Sequence, residues 1–443
     1  MKILKFGGTS VGSAERMKAV MGLINDGEPK IVVLSAMSGT TNNLVQIAEQ
    51  LHQNNNEDAI ALIEALYEKY KQVVDSLYAT DSKKKQALEL IATHFEYIKA
   101  FTQDLFTVHE ERAILAQGEL LSTALFQFFL EEQGVESVLL SALNFMKIDE
   151  NEEPDADYIA KNIKTELEKF PGIQLFITQG YICRNAFGEI DNLKRGGSDY
   201  SASLIGAAIE ASEIQIWTDI DGMHNNDPRV VKNTYPIAEL SFDEAAELAY
   251  FGAKILHPSS VLPAKQKNIP VKLLNTMQPE AKGTTISART EGGSIKAVAA
   301  KDDIIAIKIK SGRMLLAYGF LRSVFEVFER YKTPIDMITT SEVAVSLTID
   351  NPKYLNEIVA ELMEFGQVDV DQQQTIVCVV GDFISQRSGT SLKIFQALQD
   401  IPLRMISYGG SRNNISLLIN TTDKVQALTL LNENIFERST ANA

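Results

Sequence analysis

The sequence is short of several things, and each shortage excludes something. Only two of its 443 residues are cysteine. Cys183 and Cys378 lie far apart, each inside an apolar run, so a disulfide framework and a cysteine-rich metal site are both excluded. Buried free thiols in a reducing compartment are expected instead. The longest uninterrupted apolar stretches fall well below the roughly 18 residues that a membrane helix needs. The N-terminus passes from MKILKF directly into a glycine pair, without the apolar segment of a signal peptide, so a soluble cytoplasmic protein is expected. Positive charge is scarce: 42 Lys and Arg against 58 Asp and Glu leave a formal net charge of −16. Neither nucleic acid nor an anionic membrane is expected as the main partner, since both reward clustered cations. A small cationic pocket for a phosphorylated ligand remains compatible with that balance. The Walker A loop and the Gly-x-Gly-x-x-Gly fingerprint are missing as well.

What is present is an ordinary globular composition, 45% apolar and 23% charged, on a length that suits two or three domains of roughly 150 residues. Short apolar runs at Lys2 to Phe6, Lys30 to Ser35, Val135 to Ser141, Leu175 to Cys183, Ile214 to Thr218 and Val271 to Leu274 read as strands. Several are apolar almost throughout, as strands covered on both faces are. Between them, Glu57 to Leu77, Lys83 to Phe106 and Glu110 to Glu132 carry helical spacing. Alternation of β and α elements predicts an α/β domain over residues 1–290, a mostly parallel sheet with helices on both faces.

The polar stretch Thr290-Glu-Gly-Gly-Ser294 marks a boundary, and the grain of residues 291–443 is different, with shorter elements and a repeating pattern. Ile335-Asp-Met-Ile-Thr339 followed by Ala344 to Ile349 matches Leu403-Arg-Met-Ile-Ser407 followed by Ile415 to Ile419, with Met337 and Met405 68 residues apart. Such a repeat predicts two copies of one α+β, ferredoxin-like unit, at about 303–371 and about 373–443. A strand at Asp369 to Val380 closes the sheets. The second copy is expected to borrow a strand near residues 295–300, so that the two interleave.

Four segments could carry chemistry. Lys5-Phe-Gly-Gly-Thr-Ser10 ends the first strand; glycines there let backbone N–H groups approach an anion, and the lysine supplies counter-charge. The plainer alternative is a tight turn. Leu193-Lys-Arg-Gly-Gly-Ser-Asp-Tyr-Ser201 brings two cations and two glycines to a helix start, where Ser198 or Asp199 could equally be a simple N-cap. Ile216-Trp-Thr-Asp-Ile-Asp-Gly222, running on to Asn226-Asp-Pro-Arg229, delivers carboxylates and an arginine to a strand end, the usual ligand side of an open α/β sheet. Turn chemistry is the competing reading of its Asp-Gly and Asp-Pro pairs. Leu248 to Pro258 sets Lys254 in a small apolar stretch beside His257, and Glu119 is an acid amid an apolar helix.

Taken in order, KFGGTS, SAMSGTTNNL, QGE, KRGGSDYSA, WTDIDGMHNNDPR, ELAYFGAKILHP and a tandem repeat of ACT type resemble aspartate kinase across essentially the whole chain, and most nearly its single-function, lysine-inhibited bacterial branch. The resemblance implies the amino acid kinase fold followed by two ACT units. It implies ATP and L-aspartate as substrates, 4-phospho-L-aspartate as product, and a first step toward lysine, threonine and methionine. Mg²⁺ would be carried mainly by ATP rather than by a protein metal site. Lys5 and Asp199 take the catalytic positions of the family. Thr41, Glu119, Arg195, Gly196, Gly197 and Ser198 map to the aspartate site, with Arg195 on the α-carboxylate and Glu119 on the α-ammonium. Lys5, Phe6, Gly7, Gly8, Thr218, Asp219, His224, Arg229, Lys254 and Ile255 map to the ATP side. A lysine effector site falls on Met314, Tyr318, Gly319, Phe320, Leu321, Asp336, Thr340 and Ser341, and a homodimer through the ACT units is implied. Two positions depart from the family: His224 stands where tyrosine is common, and Ala317 where a serine is expected. Fused relatives that also reduce aspartate semialdehyde need a further dehydrogenase domain, for which 443 residues leave no room. Two other readings compete: a kinase of the same superfamily for glutamate, N-acetylglutamate or a nucleoside monophosphate, and a non-catalytic amino-acid sensor. Arg195 with Glu119 weighs against the first, and retention of Lys5 and Asp199 against the second.

Overall fold

The computed structural model describes residues 1–103, 105–193, 196–252, 256–288, 295–312, 318–382 and 388–437. The chain forms two compact units, Met1–Met223 with Leu256–Arg289, and His224–Ile255 with Thr290–Ala443. Strands of the first are β1 (Lys2–Phe6), β2 (Lys30–Leu34), β3 (Val138–Leu140), β4 (Leu175–Gln179), β5 (Ile182–Arg184), β6 (Ile190–Asn192) and β7 (Glu213–Thr218). After β8 (Glu239–Ser241) of the second unit, β9 (Val271–Asn275) and β10 (Thr284–Ser287) complete the first. The second unit continues with β11 (Ile295–Lys310), β12 (Ile338–Thr340), β13 (Ala344–Ile349), β14 (Gln367–Gly381), β15 (Met405–Tyr408) and β16 (Asn414–Asn420).

In the first unit the order is β3-β4-β2-β1-β7-β9-β10. Every neighbouring pair is parallel up to β9, and only β10 runs antiparallel. β2 and β4 are buried at every residue, which explains their unbroken apolar sequence. The 25-residue helix Val108–Glu132 is long and apolar enough to cross a membrane, yet 78% of its most apolar window is buried among its neighbours. It is a core helix, which is why its apolar face is so wide. From β1 the chain steps to β2 on one side and later returns as β7 on the other. The carboxyl end of β1 is therefore a topological switch point, where α/β sheets open a crevice.

The strand expected over Leu175 to Cys183 is broken. Gly180 passes so close to the helix Gly197–Ile209 that a Cβ there would lie 2.3 Å from Ser198 Cβ. Tyr181 then adopts a positive φ of 64°, and β5 leaves to pair with β6 in a separate hairpin. The helix expected to reach Phe106 ends at Ala100.

In the second unit the sheet order is β12-β13-β11-β14-β16-β15. β11 and β14 are long strands shared by both repeats. Residues Ile304–Lys310 pair with β13 and the first half of β14, whereas Ile295–Lys301 pair with Ile376–Gly381, with register shifts between. One apolar core gathers Ile307, Val324, Phe328, Leu347 and Ile358, and another gathers Val298, Val377, Ile415, Leu417 and Leu428. Residues His224–Ile255, which the sequence reading counts with the α/β domain, belong to this compact unit. Val231 joins the second of those cores. Asn226 donates to the Leu428 carbonyl at 3.0 Å, and Val298 N–H donates to the Asn225 carbonyl at 2.8 Å. The boundary motif at 290–294 lies outside the described residues.

Candidate active site

The carboxyl ends of β1 and β2 and the starts of two helices enclose a cleft of ≈ 410 Å³ in the first unit. Lys5 leaves the end of β1 with its Nζ 2.7 Å from Asp199, both side chains nearly buried. Gly7 and Gly8 follow. A Cβ on Gly8 would come within 2.8 Å of the Ala36 carbonyl oxygen, so the close passage of these backbones requires glycine. Gly8 in turn accepts a hydrogen bond from Ser38 N–H at 3.1 Å.

Two helices present their N-termini here, Thr40–His52 and Gly197–Ile209. Each is preceded by a left-handed glycine, Gly39 at φ 79° and Gly196 at φ 76°, and neither has a side-chain cap. Thr40 N–H already donates to the Met37 carbonyl at 2.9 Å and Asp199 N–H to the Gly196 carbonyl at 3.0 Å, but no side chain takes the other first-turn N–H groups, and the helix dipoles favour an anion. Thr41 and Ser198 sit in these first turns and line the cleft. Ser198 is fixed by a 2.8 Å hydrogen bond from the Ser35 hydroxyl.

Glu119 lies on the opposite character of wall. It comes from the core helix Val108–Glu132, is 3% exposed and accepts from Ala36 N–H at 3.1 Å through Oε1. Its Oε2 has no hydrogen-bond partner among the described residues. Burial pushes its pKa up to about 8, against the weaker opposing pull of the Ala36 N–H and the Lys5 ammonium. A buried carboxyl with one open oxygen is suited to a cationic guest.

The sequence-predicted residues Lys5, Gly7, Gly8, Thr41, Glu119, Gly197, Ser198 and Asp199 come together in this way. Phe6 differs: it is fully buried and stacks on Trp217 at 5.7 Å, so only its backbone can face a ligand. Thr218 uses its carbonyl to accept from Thr276 N–H at 2.7 Å, and Asp219 is exposed beside it. His224 and Arg229 belong to the second unit. Arg229, expected on the ATP side, forks onto Asp227 at 2.9 and 2.8 Å, which holds the Asp227 carboxyl below its ordinary pKa. Arg195, Lys254, Ile255, Met314 and Ala317 lie outside the described residues.

Sequence reasoning missed part of the lining. Ser35, Ala36, Ser38 and Asn42 belong to the SAMSGTTNNL segment, whose glycine and serines were the available signal. Tyr181 gave none, since its place depends on a left-handed backbone held by the Ser201 hydroxyl, which accepts from Tyr181 N–H at 2.8 Å. Lys69 was also overlooked. It reaches from the helix Asn56–Leu77 to donate to the Ser38 carbonyl at 2.7 Å, beside Gly39.

Of the expected effector residues, Tyr318 is fully exposed and Gly319, at φ 87°, precedes the helix Phe320–Arg330 without a side-chain cap. Phe320 packs against Phe365 at 6.3 Å and serves the core in part, while Leu321, Thr340 and Ser341 are exposed. Asp336, expected in the effector site, accepts through Oδ1 from Lys301 Nζ at 2.8 Å and from the Tyr250 hydroxyl at 2.7 Å.

A profile of the amino acid kinase family matches residues 1–275, and an ACT domain profile matches residues 377–435. The chain is 34% identical to the lysine-sensitive aspartokinase 3 of Escherichia coli, over 98% of this chain and 99% of that one. It is 33% identical to the chloroplastic aspartokinase 3 of Arabidopsis thaliana, over 100% of this chain and 82% of the relative. Among solved structures, E. coli aspartokinase III in complex with aspartate and ADP (R-state) matches with a TM-score of 0.85 and 32% identity, over 98% of this chain and 100% of that one. The same enzyme in complex with lysine and aspartate (T-state) matches with a TM-score of 0.81.

Proposed function

Because the chain belongs to the amino acid kinase family and is an aspartate kinase using ATP, with an ACT region, we propose that it phosphorylates the β-carboxylate of L-aspartate to 4-phospho-L-aspartate in the described cleft. The observation that carries this reading is the Lys5–Asp199 pair at 2.7 Å beside two uncapped helix N-termini, with the open oxygen of Glu119 in the same cleft.

The substrate carboxylate, with a pKa near ~4, is already ionised at neutral pH, so the reaction needs no general base. Its oxygen forms a bond to the γ-phosphorus as the bond to the β,γ-bridging oxygen breaks, and ADP leaves. The obstacle is charge, an anion approaching an anion, so positioning and cationic stabilisation supply the catalysis. Lys5 offsets charge on the transferring group, and Asp199 orients Lys5. Gly7, Gly8 and the first-turn N–H groups after Gly196 let the backbone close on the phosphates. Arg195 pairs with the α-carboxylate and Glu119 with the α-ammonium, a combination that selects a zwitterion. Thr41 and Ser198 hydrogen-bond the substrate.

No cluster of three or more metal-binding side chains occurs among the described residues. A single carboxylate, Asp199, fits an ion that arrives on ATP rather than a protein cage. Mg²⁺ would be held by the ATP phosphates with Asp199 nearby, and would neutralise phosphate charge. On the same reading Thr218 and Asp219 serve the nucleotide, with Lys254. Lysine is the effector at the first ACT unit, the product feeds lysine, threonine and methionine synthesis, the protein is cytoplasmic, and two copies pair through the ACT units.

The test is to trap acyl phosphate with hydroxylamine, given ATP, Mg²⁺ and a panel of acids. Hydroxamate is expected with aspartate; product only with glutamate or another acid overturns the reading. Arg195→Ala is expected to raise the aspartate KM by roughly 10²-fold while the ATP KM changes little.

A further inference from the structure

In the second unit, four side chains from separate segments meet around one ammonium. Lys301 of β11 places its Nζ 2.8 Å from Asp336 and 2.9 Å from Asp350. The same nitrogen lies 4.5 Å from the centre of the Tyr250 ring, a cation–π distance. Tyr250 completes the set by donating its hydroxyl to Asp336. Burial by itself lowers the Lys301 pKa, but its hydrogen bonds to the two carboxylates outweigh burial and hold it above the ordinary value. The group is an ammonium at neutral pH.

Two carboxylates and one ammonium leave the cluster with one negative charge in excess. That excess falls on a buried atom. The Asp336 side chain is 1% exposed, and its Oδ2 has no hydrogen-bond partner among the described residues. A buried carboxylate oxygen without a partner is costly, and one more cation would relieve it. Lys301 also has a second place to rest, because Asp350 is 40% exposed and holds it independently of Asp336. Lys301 bridges both carboxylates, and Asp350 would still hold it if Asp336 took another partner.

Resting on the effector reading above, we propose that the ammonium of an amino-acid effector is sensed by this whole cluster: it takes Asp336, Lys301 withdraws to Asp350, and Tyr250 loses its hydroxyl's present partner. One added positive charge brings the cluster to neutrality. Tyr250 is the last residue of the helix Phe242–Tyr250, and Lys254 follows four residues later in the sequence. A change at Asp336 thus reaches the end of the helix Phe242–Tyr250 through one hydroxyl. The ligand biases a two-state element instead of acting at a distance.

The test uses the full-length enzyme with L-lysine as probe, reading binding by calorimetry and inhibition as a fraction of each variant's own uninhibited rate. Lys301→Met removes the competing ammonium and is expected to bind lysine about ten-fold more tightly. Asp350→Asn removes the resting place and the charge excess, and is expected to bind it about ten-fold more weakly. Tyr250→Phe is expected to bind lysine within about three-fold of the wild type while saturating lysine leaves about half of the rate or more. Shifts of Lys301→Met and Asp350→Asn in the same direction, or full inhibition of Tyr250→Phe, overturn the proposal. A wild type that ignores lysine but is inhibited by threonine overturns only the choice of lysine, and the same three variants are then scored with threonine. Indifference to both amino acids overturns the effector reading and the proposal together.

Discussion

The two units each contain a lysine–aspartate pair of nearly equal length, Lys5 to Asp199 at 2.7 Å and Lys301 to Asp336 at 2.8 Å. Their surroundings are opposite in character. Around Lys5 the pair is charge-balanced and sits among glycines and two helix N-termini without side-chain caps, which offer backbone donors and a favourable dipole. Around Lys301 a second carboxylate, Asp350, and an open Asp336 oxygen leave acceptors in excess. The first environment receives an anion and the second a cation. What a buried ion pair does is set by the donors and charges left over around it, rather than by the pair itself.

The largest effect expected is at Lys5. Lys5→Met should lower kcat by roughly 10³-fold or more, because it removes the cation facing the transferring group. The nearly buried Asp199 left behind should cost about 1–3 kcal/mol of stability, read from denaturant midpoints. A loss of less than about ten-fold in kcat would instead make Lys5 a structural lysine.

A middling effect is expected at Glu119, through pH. Unliganded, this carboxyl keeps its proton up to about 8, whereas in the unfolded chain it ionises near 4.5. Between those values the folded state binds the extra proton, so folding stability should fall as pH rises through the window. Aspartate binding should show the reverse slope: its ammonium favours the ionised carboxyl, a proton is released, and affinity rises with pH until about 8. Glu119→Gln should flatten both slopes. Persistence of either slope in that variant would assign it to another group.

The smallest effect is expected at Lys69, which touches the cleft only through the Ser38 carbonyl. Lys69→Ala should raise the aspartate KM about three- to ten-fold at nearly constant kcat, by loosening the loop that aims the helix Thr40–His52. Steady-state kinetics separate the two: a fall in kcat with KM unchanged would move Lys69 from positioning into the reaction itself.

Much of the α/β unit was legible because its chemistry is local. β1 was bounded correctly by its apolar residues and the glycine pair, and the repeat at Met337 and Met405 announced two similar pieces. Lys5, Gly8 and Ser198 were recognisable as anion-binding types. The features that the sequence did not display depend on distant partners. The strand over Leu175 to Cys183 fails because Ser198 occupies the space beside Gly180. Asp336 is taken by residues 35 and 86 positions away. Residues 224–255 follow polar anchors such as Asn226 and apolar ones such as Val231 into the second unit, and no local pattern records that preference.

The sequence by itself determined the residue types, the alternation of strands and helices, the repeat and the family, since each is written in short-range order along the chain. Tertiary structure alone decided which charges are spent. Lys301 is held by two aspartates, whereas Glu119 keeps an oxygen without a partner in the cleft. The physical reason is that a charge acts on what lies within a few ångströms of it in a desolvated site, and only folding brings those neighbours together.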